Sequence, residues 1–169
     1  MDRNALSKVG IQLPVLPTLV LGGLPGGADW TGRLLRLGID VVSSGAQADT
    51  DATLTAVKSA APYRPIKATG GQARLADGAW LVEDHEQAAG GIPLDVAHIV
   101  VAQDGLQYDD QNDVAAVLLQ TVRENPAHWW VAARGLGECS PEDAELALSA
   151  MVEGTKLVRL FLTKQQFEV

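Results

Sequence analysis

The 169-residue chain holds a single cysteine, Cys139. One cysteine cannot close an intramolecular disulfide or furnish an all-cysteine zinc site. Basic residues are scarce as well: 13 Lys+Arg stand against 21 Asp+Glu, a formal net charge of −8. A field of that sign repels phosphate backbones and anionic headgroups, so neither nucleic acid nor a membrane surface is an expected partner. No apolar run reaches the ~18 residues that a transmembrane helix needs. The opening MDRNALSKVG lacks a basic region followed by an apolar stretch, so no secretory leader is read there. With the lone thiol, this points to a cytoplasmic, reducing setting. What the chain does have is 47% apolar residues, enough for one domain over residues 1–169 that buries roughly 70% of its unfolded surface.

Seventeen glycines and eight prolines suit a protein with many strand-to-helix turns better than a helical bundle. A repeated order supports that α/β reading: an apolar run, a small-residue turn, then a helical pattern. The runs at Val15–Leu21, Ile39–Val42, Pro65–Thr69, His98–Ala102 and Trp129–Ala133 predict strands. Asp29 offers an N-cap to a helix ending at Leu37 and Gly38. A second helix begins near Thr50 or Asp51, carries Leu54, Val57 and Ala61 on one stripe, and stops at Pro62. Ala73–Gly91 is ambiguous, with Ala79–Val82 a possible strand and Glu83–Ala89 a possible helical turn. Asn112–Glu124 reads as a helix with Val114, Val117, Leu118 and Val122 on one face. Ser140-Pro141-Glu142-Asp143 is a strong helix start, and its helix runs to about Leu160.

About five such units argue for a parallel sheet with right-handed crossovers. An eightfold barrel usually takes ~250 residues. The chain is therefore expected to be a shortened TIM-barrel-like sheet, with an open doubly wound, flavodoxin-like sheet as the alternative.

Parallel α/β proteins place their sites at the carboxyl ends of strands, which directs attention to a few residues. Gly22-Gly23-Leu24-Pro25-Gly26-Gly27 follows the first strand, but Ala28 and Asp29 stand where a phosphate-binding loop needs Lys and Ser/Thr; its main expected role is to turn the chain. Asp104 follows the fourth run and could act as a base or accept a ligand hydrogen bond. The later aspartates of the Asp104–Asp113 stretch are expected to cap the next helix. Arg134 ends the fifth run, where a guanidinium can clamp a carboxylate or pair with Asp104. Asp51 and Thr69 lie near neighbouring strand ends. His85, His98 and His128 have no metal-ligand spacing with one another or with Cys139, so no metal is expected. Cys139 precedes an N-cap, where a helix dipole favours thiolate, but Glu138 opposes it.

Several segments resemble the catalytic barrel of cobalamin-independent methionine synthase. LPTLVLGGLP (Leu16–Pro25) is similar to the family's LPTTTIGSFP. LGIDVVSSGAQADTD (Leu37–Asp51) resembles LGLDVLxHGExERxD, and Pro65–Thr69 resembles PVKVT. Ala132–Arg159 resembles a unit that starts NPDCGL and ends in MVxAAxxLR, and Asp95–Pro126 is similar, less closely, to the unit before it. Together they cover roughly two thirds of the chain. The resemblance implies a barrel and a methyltransferase ancestry in which zinc, held by His, Cys, Glu and Cys, activates homocysteine. Its departures imply that this chemistry is gone. Arg134 stands in place of the last cysteine ligand, Gly23 in place of a homocysteine-contacting serine, and Ala46 in place of the glutamate of HGE.

Three functions are compatible with these residues. The first is a non-catalytic, methionine-synthase-like pseudoenzyme without cofactor, which binds a small molecule or a partner and covers its strand edges as a homodimer. Its ligand-binding candidates are Gly22, Gly23, Asp51, Thr69, Asp104 and Arg134. The second is an enzyme with new chemistry in the same mouth, acting on a small carboxylate. The third is a component of methyl transfer completed by a second copy or a methyltransferase partner subunit; Trp129 and Trp130, adjacent on a strand, face opposite ways and are expected one in the core and one under a helix rather than at a pterin.

Overall fold

The computed structural model describes residues 13–26, 30–43, 66–68, 79–82, 92–93, 97–103, 106–107 and 110–167. They form β1 (Thr18–Leu21), α1 (Trp30–Leu37), β2 (Val42–Ser43), β3 (Ile66–Ala68), β4 (Ala79–Val82) and β5 (Ile92–Pro93). The chain continues through β6 (Ala97–Gln103), β7 (Leu106–Gln107), α2 (Gln111–Val122), β8 (Trp129–Arg134) and α3 (Pro141–Phe167). No helix among them is long and apolar enough to cross a membrane.

This is a mixed α/β fold built on parallel pairing. One sheet has the order β1-β8-β6-β7 and the other β2-β3-β4-β5. The last strand lies beside the first in register, from Thr18 opposite Val131 to Leu21 opposite Arg134. The flavodoxin-like alternative puts the first strand between the second and third, and β1 has β8 as its sheet neighbour instead. The two sheets meet where the Val41 amide donates to the Thr18 carbonyl at 3.0 Å. The described strands do not close into a ring.

One expectation needs correcting: the sheet is not wholly parallel. β7 pairs antiparallel with β6, with Gln103 opposite Leu106. Asp104 and Gly105, which separate the two strands in sequence, lie outside the described residues. β5 and β7, two residues each, are too short to leave an alternating pattern in the sequence. The expected helix from Thr50 or Asp51 to Ala61, the Glu83–Ala89 turn and the Asp29 cap lie outside the described residues.

Local chemistry sets the helix limits. α1 stops because Gly38 adopts φ +85°, letting its amide reach the Leu35 carbonyl at 3.2 Å while the Ile39 amide reaches Leu34 at 3.1 Å; this is the paired closure that glycine permits after a helix. α2 starts one residue before its expected position, and the Asp110 carboxylate accepts from the Asn112 amide at 2.7 Å, satisfying an otherwise orphaned donor. In α3, Ser140 Oγ accepts from the Asp143 amide at 3.1 Å. That helix continues to Phe167, past Leu160, because Phe161–Phe167 holds no glycine or proline to end it.

β1 begins at Thr18 rather than Val15. Leu16 sits at φ +55°, a left-handed bend rare for a branched residue. The bend is held from outside: Arg159 donates Nε to the Val15 carbonyl at 2.7 Å and Nη2 to the Leu16 carbonyl at 2.8 Å. The same Nη2 lies 2.7 Å from Asp40 Oδ2. That oxygen also accepts from the Thr18 amide and Thr18 Oγ1, both at 2.9 Å. Thr18 is buried, so the amino end of β1 is pinned by a satisfied polar network.

Packing divides the buried residues between two faces. Val20, Val131 and Ala133 join Val114, Leu118, Ala147, Leu148 and Met151 in the core under α2 and α3. Leu19, Trp130 and Ala132 alternate with them onto the opposite face and are also buried. A parallel strand covered on both sides reads as a continuous apolar run, which WWVAA is. The helices come so close at Gly154 that an added Cβ would lie 2.6 Å from Val114 Cγ1 and 2.8 Å from the Gln111 carbonyl.

Candidate functional site

The carboxyl ends of β1 and β8 lie side by side and open into two glycine turns. After Leu21, Gly22 takes φ +73°; after Arg134, Gly135 takes φ +72°. Both turns therefore need a residue without Cβ, which confirms the turn-making reading of Gly22. They meet at their tips: a Cβ on Gly137 would sit 3.9 Å from the Gly23 carbonyl oxygen.

The first turn is anchored from below. Trp30, buried at the start of α1, donates Nε1 to the Pro25 carbonyl at 2.7 Å. The Arg33 guanidinium lies over the same indole, 5.3 Å from its centroid, and reaches Glu145 of α3 at 3.1 Å. The second turn is anchored by buried Leu136 and by the Cys139 amide, which donates to the Leu136 carbonyl at 3.1 Å. Sequence reasoning missed the Trp30–Arg33–Glu145 clasp, since 112 residues separate Arg33 from Glu145 and no local pattern links them.

Of the expected site residues, the fold brings Gly22, Gly23 and Arg134 into one mouth. Register places Arg134 opposite Leu21 on β1 and Gln103 on β6. Strand alternation puts it on the face shared by Trp130 and Ala132, opposite the helices. It is exposed and has no ion pair among the described residues. Asp51, Thr69 and Asp104 lie outside those residues, and with them the expected pairing of Asp104 with Arg134. Gly23 is exposed, with space around the position a Cβ would take.

The remaining chemistry-bearing residues are dispersed. His98 sits in the amino-terminal half of β6, away from the mouth. His128 is exposed and meets Trp129 edge-on, 5.5 Å between centroids; His85 lies outside the described residues. Cys139 is half-buried and packs against the core. Trp130 is 3% exposed, while Trp129, the first residue of β8, is half-buried. Neither tryptophan lies at the carboxyl-end mouth. Among the described residues no three His, Cys, Asp or Glu side chains converge to hold a metal ion. The described mouth does not fit the zinc implied by the resemblance: a guanidinium, with five donors and no lone pair to offer, occupies the end of β8. Its chemistry is that of an anion clamp, able to hold a carboxylate by two parallel hydrogen bonds.

Comparison of the chain with protein-family models, with curated proteins and with solved structures finds no match. The family resemblance is carried by the segments quoted above alone.

Proposed function

We propose that this chain is a methionine-synthase-like protein without zinc catalysis, a shortened barrel whose mouth binds a small carboxylate and which works with a second copy or a methyltransferase partner subunit. The observation that carries the reading is the network of Thr18, Asp40 and Arg159. Each comes from a different segment that resembles the family: Thr18 from LPTLVL, Asp40 from LGID, Arg159 from KLVR. The three segments meet at the amino end, where barrels keep stability, and their agreement there has a physical reason. At the carboxyl end, where barrels keep chemistry, the chain departs from the family at Gly23 and Arg134.

Strand order also supports a barrel ancestry. Reading β6-β8-β1, then across the Val41–Thr18 bond to β2-β3-β4-β5, gives chain order with the last strand next to the first. That cyclic order belongs to barrels, and burial on both faces of β8 suits a barrel wall. Loss of units would leave edges between β5 and β6 that self-association covers.

Zinc content and methyl transfer from a methylated folate to homocysteine, measured on one purified sample, test the proposal. The expected result is zinc well below one ion per chain and no transfer. One zinc per chain, or transfer by the protein alone, contradicts it.

A further inference from the structure

The helix that closes the fold carries an apolar stripe on its outer side. Leu146, Leu157, Leu160 and Phe161 of α3 are 52%, 39%, 61% and 45% exposed. Eleven residues make about three helical turns, so Leu146 and Leu157 share one line, with Leu160, Phe161 and Lys164 continuing it. Surface helices normally turn charged residues outward. Here the patch also spreads onto α2: beside Phe161 a groove of about 380 Å³ is lined by Leu119, Val122, Arg123, Leu162 and Gln165. Exposed leucines and a phenylalanine gathered beside a groove mark an association site.

The charges along the stripe choose the occupant. Glu153 lies on it and pairs within its own helix with Lys156 at 2.8 Å. Lys164, eleven residues on, is exposed and has no ion pair among the described residues. If two α3 helices run antiparallel with a two-fold axis between Val158 and Arg159, Leu157 meets Leu160 of the partner subunit. The same register sets Lys164 opposite Glu153 of the partner subunit, and symmetry makes every contact twice. Antiparallel helices at a shallow crossing angle pack well in this way. A parallel pair instead sets Glu153 against Glu153 of the partner subunit and Lys164 against Lys164 of the partner subunit.

We propose that the Leu157–Lys164 face of α3, with the adjoining α2 groove, is the homodimer interface of this protein, and that the partner it binds is a second copy in antiparallel orientation. This rests on the self-association in the proposed function but places it on the helical side of the fold rather than at the β5 and β6 edges; it is independent of what the mouth binds.

Light-scattering mass of the full chain, up to ~100 µM, is combined with zero-length carbodiimide cross-linking and peptide mass spectrometry. The expected result is a dimer with a Glu153–Lys164 cross-link. Within one helix those residues are about 16 Å apart at ~1.5 Å per residue, so the cross-link can only join two chains. Leu160→Glu, at an exposed position and with unchanged circular dichroism, is expected to weaken the dimer by about tenfold or more. Lys164→Glu weakens it, and adding Glu153→Lys restores it. A dimer without the cross-link and indifferent to Leu160→Glu overturns this surface but leaves association by sheet edges standing. A monomer overturns both.

Discussion

The amino and carboxyl ends of the β1–β8 pair, separated by the four-residue length of β1, are built in opposite ways. At the amino end, Asp40 Oδ2 takes three donors and Arg159 takes two backbone carbonyls, so the left-handed bend at Leu16 is held by side chains remote in sequence. At the carboxyl end the turns are made by glycines, and Arg134 has no ion pair among the described residues. One end satisfies its polar groups internally. The other leaves a cation exposed, without an ion pair among the described residues, on the face opposite the helices. Among the described residues, side chains from three remote segments lock the amino end, while the carboxyl end holds no cluster of metal-binding side chains.

The largest expected effect breaks the amino end. Asp40→Ala leaves the Arg159 guanidinium and the Thr18 donors without their acceptor; a loss of about 3 kcal/mol follows, or roughly 6–12 °C in melting temperature. Urea unfolding measures it, and carboxylate binding at the mouth is expected to survive. Next is Gly154→Ala, away from both ends: its Cβ meets Val114 at 2.6 Å, and overpacking of that kind costs about 2 kcal/mol. Combining it with Val114→Ala relieves little, because Val114 Cβ at 2.7 Å and the Gln111 carbonyl at 2.8 Å remain in the way; the two losses should add to within about 0.5 kcal/mol, which a double-mutant cycle reads directly. On the rim of the mouth, Ser140→Ala removes the α3 cap and costs about 1 kcal/mol in thermal unfolding. The smallest effect on stability, within about 0.5 kcal/mol, belongs to Arg134→Gln. If that variant instead unfolds like Asp40→Ala, the contrast between the ends disappears.

Legibility in the sequence followed the range of the interactions. Strands buried on both sides announced themselves as apolar runs, so Trp129–Arg134 and Ala97–Gln103 were readable within one or two residues, as were the Gly38 stop and the Ser140 cap. β1 was read three residues too long because the bend at Leu16 depends on Arg159, whose guanidinium arrives from 143 residues away. The β6–β7 hairpin could have been found from Asp104-Gly105, a turn signal that was read as a functional carboxylate at a strand end. In the site, glycines could be assigned because positive φ is a local demand. The Trp30–Arg33–Glu145 clasp could not, because it is created by tertiary packing of α1 against α3.

Calorimetric titration of a panel of small mono- and dicarboxylates into the wild-type protein and Arg134→Gln is the most direct test of an open, anion-binding mouth on a locked scaffold. The account predicts that at least one binds the wild type at one site per chain and binds Arg134→Gln about tenfold or more weakly, with both proteins unfolding at the same temperature. Equal affinity in the two proteins, or no binding to the wild type across the panel, contradicts it.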